Sequence, residues 1–215
     1  TGAITAKGDH VSIDPMICAG CSSCATLCPS GALTYDAPPT ESLMRRIQTL
    51  ATTFLGAGGT APRLLVVNDH GGKVISYAAR YGRGLPADVV PLEVEAINTF
   101  GHAEILAALA AGFAWVDILL APTAELEVLE REVALANAIG GGKSALLDHI
   151  DPDALSEALF EAEVPATLTE AVRPMGNRRQ ITRQAAKSLI SETELLPLPA
   201  DAPYGAVLVD SNACT

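Results

Sequence analysis

The chain has 215 residues, 49% of them apolar but only 4% aromatic, and a formal net charge of −11. That length supports one or two domains with a real core, built mainly from Ala, Val, Leu and Ile. The acidic balance argues against phosphate backbones, and so against nucleic-acid partners, and no apolar run nears the ~20 residues that cross a bilayer, which argues against membrane insertion.

The first residues, TGAITAKGDHVSID, show no charged-then-apolar leader and no initiator Met, from which a fragment or a processed chain is expected. HVSID (10–14) alternates as a half-buried strand does. Cys18, Cys21, Cys24 and Cys28 then fall within eleven positions, with Pro29 directly after; the fifth cysteine is Cys214. Disulfide frameworks spread their cysteines to close useful loops. Clustering of this kind points instead to a metal centre in a reducing, cytoplasmic compartment. The spacing is C-x2-C-x2-C-x3-C-P. An iron–sulfur cubane needs one thiolate per iron, and two-residue gaps wrap the chain round one face of it. The small residues Ala19, Gly20, Ser22, Ser23 and Ala25 let backbone N–H groups approach the sulfides. Structural zinc sites usually draw two ligand pairs from separated places. A [4Fe–4S] centre is therefore favoured over its alternatives, zinc and purely structural thiols.

Residues 9 to 36 resemble bacterial 2[4Fe–4S] ferredoxin domains: a strand, the cysteine run, then PSGALTYD, read as a short helix and a second strand. The resemblance implies electron transport. It also implies that the first three cysteines bind one cluster while the fourth reaches across to another. Two positions for Cys28 stay open: serving a second cluster, or turning inward to complete the first.

SLMRRIQTLATTFL places Leu43, Ile47, Leu50 and Phe54 at helical spacing, and GAGGTAP (56–62) breaks the pattern. Strands are expected at 63–67, 88–94, 115–121 and 144–150, the second kept from a central position by Pro91. Helices are expected between and after them, at 72–82, 102–112, 124–140, 151–162 and 177–192; Asp151 caps the fourth with Pro152 at its first position. The alternation predicts an α/β fold: a small parallel sheet of three to four strands flanked by helices, inserted into a ferredoxin-like iron–sulfur domain. The expected divisions are 1–38 for the ferredoxin-like half, 39–62 for a helix and linker, 63–195 for the α/β domain, and 196–215 for a connector and the start of a second half. Ligands of such sheets bind beyond the carboxyl ends of strands, here Asn68, Asp69, His70, Glu93, Glu95, Asn98, Pro122 and Thr123. Asp69–His70 reads either as an acid–base pair or as a cap beside an exposed histidine. IGGGKS (139–144) lacks the first P-loop glycine and follows a helix, so it reads as a helix end. Nor does VVNDHGGK supply a G-x-G-x-x-G fingerprint.

The order strand–NDHGG–helix, then YGRGLPADVVPLEVEAINTFGHAEILAALAAGFAWVDILL, resembles the delta-subunit domain of methyl-viologen-reducing hydrogenase over 63–121. That family carries cysteines here for a [2Fe–2S] centre. This chain has none between 29 and 213, which excludes such a centre within the segment.

Arg173, Arg178, Arg179, Arg183 and Lys187 gather five of the 14 basic groups in one span. It reads as a solvated face or as a docking patch for an acidic redox partner, through Arg178, Arg179, Arg183 and Lys187. After the Pro-rich LPLPADAPYG (196–205), VLVDSNAC (207–214) repeats the pattern of VSIDPMIC (11–18) at a constant offset of 196. Cys214 is thus expected to open a second cysteine run, the alternative being an ordinary terminal cysteine. If Cys28 serves that second site, this chain alone is expected to hold an incomplete cluster or none. The functional expectation is an iron–sulfur electron carrier between redox partner proteins, serving a larger oxidoreductase such as a formate dehydrogenase or hydrogenase-type complex, with no catalytic residue of its own. The alternatives are a scaffold or maturation factor with a structural cluster, and a small-molecule-binding α/β enzyme.

Overall fold

The structure is a computed structural model; it describes residues 2–34, 39–163, 171–190 and 196–204. Cys214 and the repeat around it lie outside the described residues, as does the end of the expected second strand at Tyr35 and Asp36.

Two short strands open the chain, β1 (Ile4–Lys7) and β2 (His10–Ile13), paired antiparallel with Ile4 opposite Ile13. β2 was expected; β1 was not, because ITAK is too short to show a period. Helix α1 (Ser23–Leu27) lies inside the cysteine run, whereas a short helix was expected after it. Residues 29 to 34 form turns, with Gly31 at φ +70° where a Cβ would be strained.

The remainder is a doubly wound α/β unit. Its elements are α2 (Thr40–Gly56), β3 (Arg63–Val67), α3 (Asp69–Tyr81), β4 (Val89–Glu93), α4 (His102–Ala110), β5 (Trp115–Leu119), α5 (Leu126–Gly140), β6 (Ser144–Leu147), α6 (Pro152–Glu161) and α7 (Arg178–Leu189). The four strands are parallel in the order β4-β3-β5-β6. Pro91 is tolerated because β4 is an edge strand, with no further ladder partner to need its missing N–H. β3 is central and buried along its whole length, as its unbroken apolar run requires. Leu64 and Val66 face a core shared with Ile47, Ile105, Leu109 and Phe113. Leu65 and Val67 face the other layer, with Val74 of α3 and Leu155 and Leu159 of α6.

The sheet order reverses direction at β3, so α3 covers one face while α4 and α5 cover the other. α4 is buried at every position. Its alanines let α2, α5 and α7 pack closely round it. The expected caps are present: Asp151 Oδ1 accepts from the N–H groups of Asp153 and Ala154, at 3.0 and 2.9 Å. Gly141 ends α5 in the left-handed region, φ +79°, confirming IGGGKS as a helix end.

At the amino edge of the sheet, Arg63 pairs with Asp88 through two bonds of 2.7 and 3.2 Å and is 3% exposed. Asp117 on β5 accepts from Trp115 Nε1 at 2.8 Å. Burial pushes its carboxyl up to about 6, against weaker pulls from Trp115 and Arg63. The folded state therefore holds this proton more tightly than the unfolded chain. Stability from it is full in acid and is lost as pH rises from about 4 to about 6. In a urea-unfolding series, Asp117→Asn is expected to lack that decline. Its stability relative to the parent should rise by up to about 3 kcal/mol between pH 4 and pH 7.

Candidate iron–sulfur site

The loop that carries the thiols hangs between β2 and α1. Asp14 anchors it: its N–H donates to Ala3 O, and its own carbonyl accepts from Ile17 and Cys18 at 3.2 and 2.9 Å. Gly20 (φ +67°) and Ser22 (φ +63°) then enter the left-handed region. For serine this is costly, and such strain concentrates at ligand-holding sites. Among the described residues, no hydrogen-bond partner engages the N–H groups of residues 19 to 24. A run of free N–H groups in a loop that alternates its hand is a concavity for anionic sulfur.

Cys24 lies in the first turn of α1, and Cys28 caps its carboxyl end in extended backbone. Cys28 Sγ accepts from Leu33 N–H at 3.5 Å and lies 3.4 Å from Ser30 Oγ. Burial pushes its thiol up, but the hydrogen bonds from Ser30, Leu33 and Ala32 outweigh that and hold it below the ordinary range. All four thiols are free; Cys18 is exposed and the others are half-buried. Among the described residues, no three His, Cys, Asp or Glu side chains are placed to hold one metal ion between them.

The donor set suits a cluster: four soft thiols and, among the described residues, N–H groups without a partner and Ser23 Oγ buried without a partner in the same turn as Cys24. Residues 11–34 match the family model described as a 4Fe-4S binding domain. No curated protein and no solved structure matches the chain. The stretch is thus a ferredoxin-type iron–sulfur motif, and its cofactor is a [4Fe–4S] cluster. When bound, that group supplies one-electron redox chemistry.

Behind the loop lies a buried polar network that the sequence reading missed. Thr26 Oγ1 donates to Asn98 O at 2.5 Å, fixing α1 to the 3-10 turn at Ile97–Thr99. Arg178 turns inward: Nη2 donates to Glu104 Oε2 at 2.6 Å and Nη1 to Ala25 O at 3.3 Å. Glu104 Oε2 also accepts from Gly101 N–H at 3.0 Å. Glu132 Oε2 accepts from His102 N–H at 2.8 Å and lies 2.5 Å from His102 Nδ1, while Nε2 lies 2.6 Å from Tyr204 OH. A signal was present: a glutamate in the otherwise apolar HAEILAALA needs a buried partner. That partner, 74 positions away, was not legible.

Arg178 is accordingly no part of a docking face. Its side chain is 10% exposed, because the buried Glu104 carboxylate demands a counter-charge. Arg179, Arg183 and Lys187 are exposed at successive four-residue intervals along α7.

A cavity of about 630 Å³ separates the cysteine loop from the sheet's carboxyl edge. Its lining includes Ser22, Ala25 and Thr26 from the loop and α1, and Asp69, Glu93 and Glu95 from the strand ends. Arg46 flanks it, and Glu104 and Arg178 also line it. Of the strand-end candidates, Asp69, Glu93 and Glu95 therefore reach a cavity. Asn68 caps α3 by accepting from Gly71 N–H at 3.2 Å. Asp69 pairs with Lys73 at 2.6 Å, and His70 Nε2 is buried without a partner. Asn98 is buried in the network, and its Oδ1 accepts from Glu125 N–H. Pro122 and Thr123 are exposed and line none of this cavity.

Gly101 sits where α1 meets the network. A Cβ there would strike the Glu132 carboxylate and the Thr26 methyl. Gly101→Val is therefore expected to cost about 1–3 kcal/mol by overpacking, read as a lowered urea midpoint. Limited proteolysis of the same variant should cut first within residues 14–34.

Proposed function

We infer that the chain is a one-electron carrier whose [4Fe–4S] cluster is held by Cys18, Cys21, Cys24 and Cys28. The carrying observation is the loop itself: four free thiols in a loop whose backbone N–H groups at residues 19 to 24 find no partner among the described residues. Its surroundings suit partner contact. Val11, Ile13, Met16 and Ile17 are exposed apolar side chains, Met16 at 91%, and apolar surface beside a redox centre favours short-lived docking. The exposed basic row Arg179, Arg183 and Lys187 would steer an acidic redox partner. On this reading residues 1–38 form the redox part and 63–195 the docking body, working in the cytoplasm for a larger oxidoreductase. The delta-subunit-like pattern over 63–121 supports that setting by resemblance alone.

The test is anaerobic reconstitution with iron and sulfide, counting both and recording EPR after reduction with dithionite. A reducible paramagnetic centre is expected. Stoichiometric zinc uptake without a reducible chromophore would overturn the reading.

The cavity beside the loop favours a second reading, an α/β protein that binds a small redox-active molecule. Its acidic lining favours a neutral or cationic compound over a phosphate. A saturable thermal-shift response to such a compound, abolished by Val94→Trp, would support it.

A further inference from the structure

The buried pair Arg178–Glu104 lies behind the cysteine loop. Replacing such a pair by apolar side chains of equal volume is often neutral for stability. Arg178 Nη1 bonds the carbonyl of Ala25, the residue that follows Cys24 in the helix joining two of the thiols. The guanidinium therefore sets a fixed positive charge against the backbone of the redox loop. Its counter-charge, Glu104, is 2% exposed at the side chain, yet it lines the 630 Å³ cavity.

We propose that Arg178 and Glu104 couple the cluster's reduction to uptake of one proton, Arg178 as the positioning residue and Glu104 as the proton site. This rests on the electron-carrier reading. The balance is one electron and one proton. A one-electron donor, in the test a poised electrode with mediators, reduces the cluster by one electron. Glu104 passes from carboxylate to carboxylic acid with a proton from cavity water, and no other bond is made or broken. Added negative charge at the loop repels the buried Glu104 carboxylate and favours its neutral, protonated form, against the opposing pull of Arg178. Burial already pushes the Glu104 carboxyl up, against the pull of Arg178 and the Gly101 N–H.

Other titratable or charged groups stand near Glu104 among the described residues. His102 shares its helix and Glu132 stands on α5, already engaged with each other. Arg46 of α2 and Asp69 of α3 line the same cavity, Asp69 tied to Lys73. Glu93 and Glu95, at the end of β4, are exposed there. None of these four makes a hydrogen bond to Glu104.

The experiment is a potentiometric EPR titration of the reconstituted full chain from pH 5 to pH 8. The midpoint potential is expected to fall with pH, approaching about 59 mV per tenfold change in proton concentration, one proton per electron. Glu104→Gln should abolish the slope. A flat profile in the parent, or an unchanged slope in Glu104→Gln, overturns the proposal. Should that variant not fold, carbon NMR of the cluster-free chain decides together with the parent slope. The Glu104 carboxyl must titrate above the ordinary glutamate value, and Arg178→Gln must move it further up; a midpoint at or below the ordinary value overturns the proposal. A parent chain that takes up no iron and sulfide overturns the electron-carrier reading and this proposal together, whereas a loaded chain with a flat profile overturns only this one.

Discussion

Cys21→Ser and Cys24→Ser are each expected to lower iron and acid-labile sulfide at least tenfold after anaerobic desalting. The ligand to a cluster iron is the thiolate, and a serine hydroxyl does not ionise at neutral pH to replace it. Loss of a supporting residue around a metal costs about 10–100-fold in affinity; loss of a ligand costs more. Neither thiol packs against the core, so the α/β unit is expected to keep its unfolding transition. That separates cluster loss from misfolding. Cys28→Ser asks a sharper question. Its sulfur already accepts from the Leu33 N–H and borders Ser30 Oγ, the setting of a thiolate within this loop. The same loss is expected. A Cys28→Ser chain with its full iron content would show that Cys28 serves another centre.

Most of the scaffold was legible because its signals are local. RLLVV, VVPLE and WVDIL are short apolar runs between glycine-, proline- or aspartate-rich breaks, and each became a parallel strand. Pro91 located the edge of the sheet, and Asp151 with Pro152 marked the start of α6. The cysteine spacing named its own chemistry. What stayed hidden depends on distance along the chain. α1 fell inside the cysteine run because Ser22 takes a left-handed conformation that no propensity favours. Arg178 looked like one member of a basic row. Asn177 and Gln180 cap α7 so that Arg178 begins it and points inward, while Arg179, Arg183 and Lys187 take the outer face. Only tertiary packing, which brings α7 against α4, distinguishes the first arginine from the second.

Glu132→Ala is expected to cost roughly 3–5 kcal/mol, measured by urea unfolding at pH 7. The carboxylate is 5% exposed and accepts from both the backbone N–H and the ring Nδ1 of His102. Truncation leaves both donors buried without a partner, and each such group costs about 1–3 kcal/mol. It also opens a void beside Gly101 and Thr26, loosening the seat of α1. Glu132→Gln should cost less, since its amide oxygen still accepts one of the two bonds. The pH dependence has a definite sign. Burial raises this carboxyl, but its bonds to His102 outweigh burial and hold it below the ordinary value of 4.5. The folded state thus releases this proton more readily than the unfolded chain. The contribution of Glu132 is whole above the ordinary value and is lost as pH falls through the folded one. The gap between parent and Glu132→Ala should therefore be widest at neutral pH and close in acid, the reverse of the trend expected at Asp117. A gap that widened in acid would mean that Glu132 is protonated in the folded chain at neutral pH, and that the bond to His102 Nδ1 is not charge-assisted.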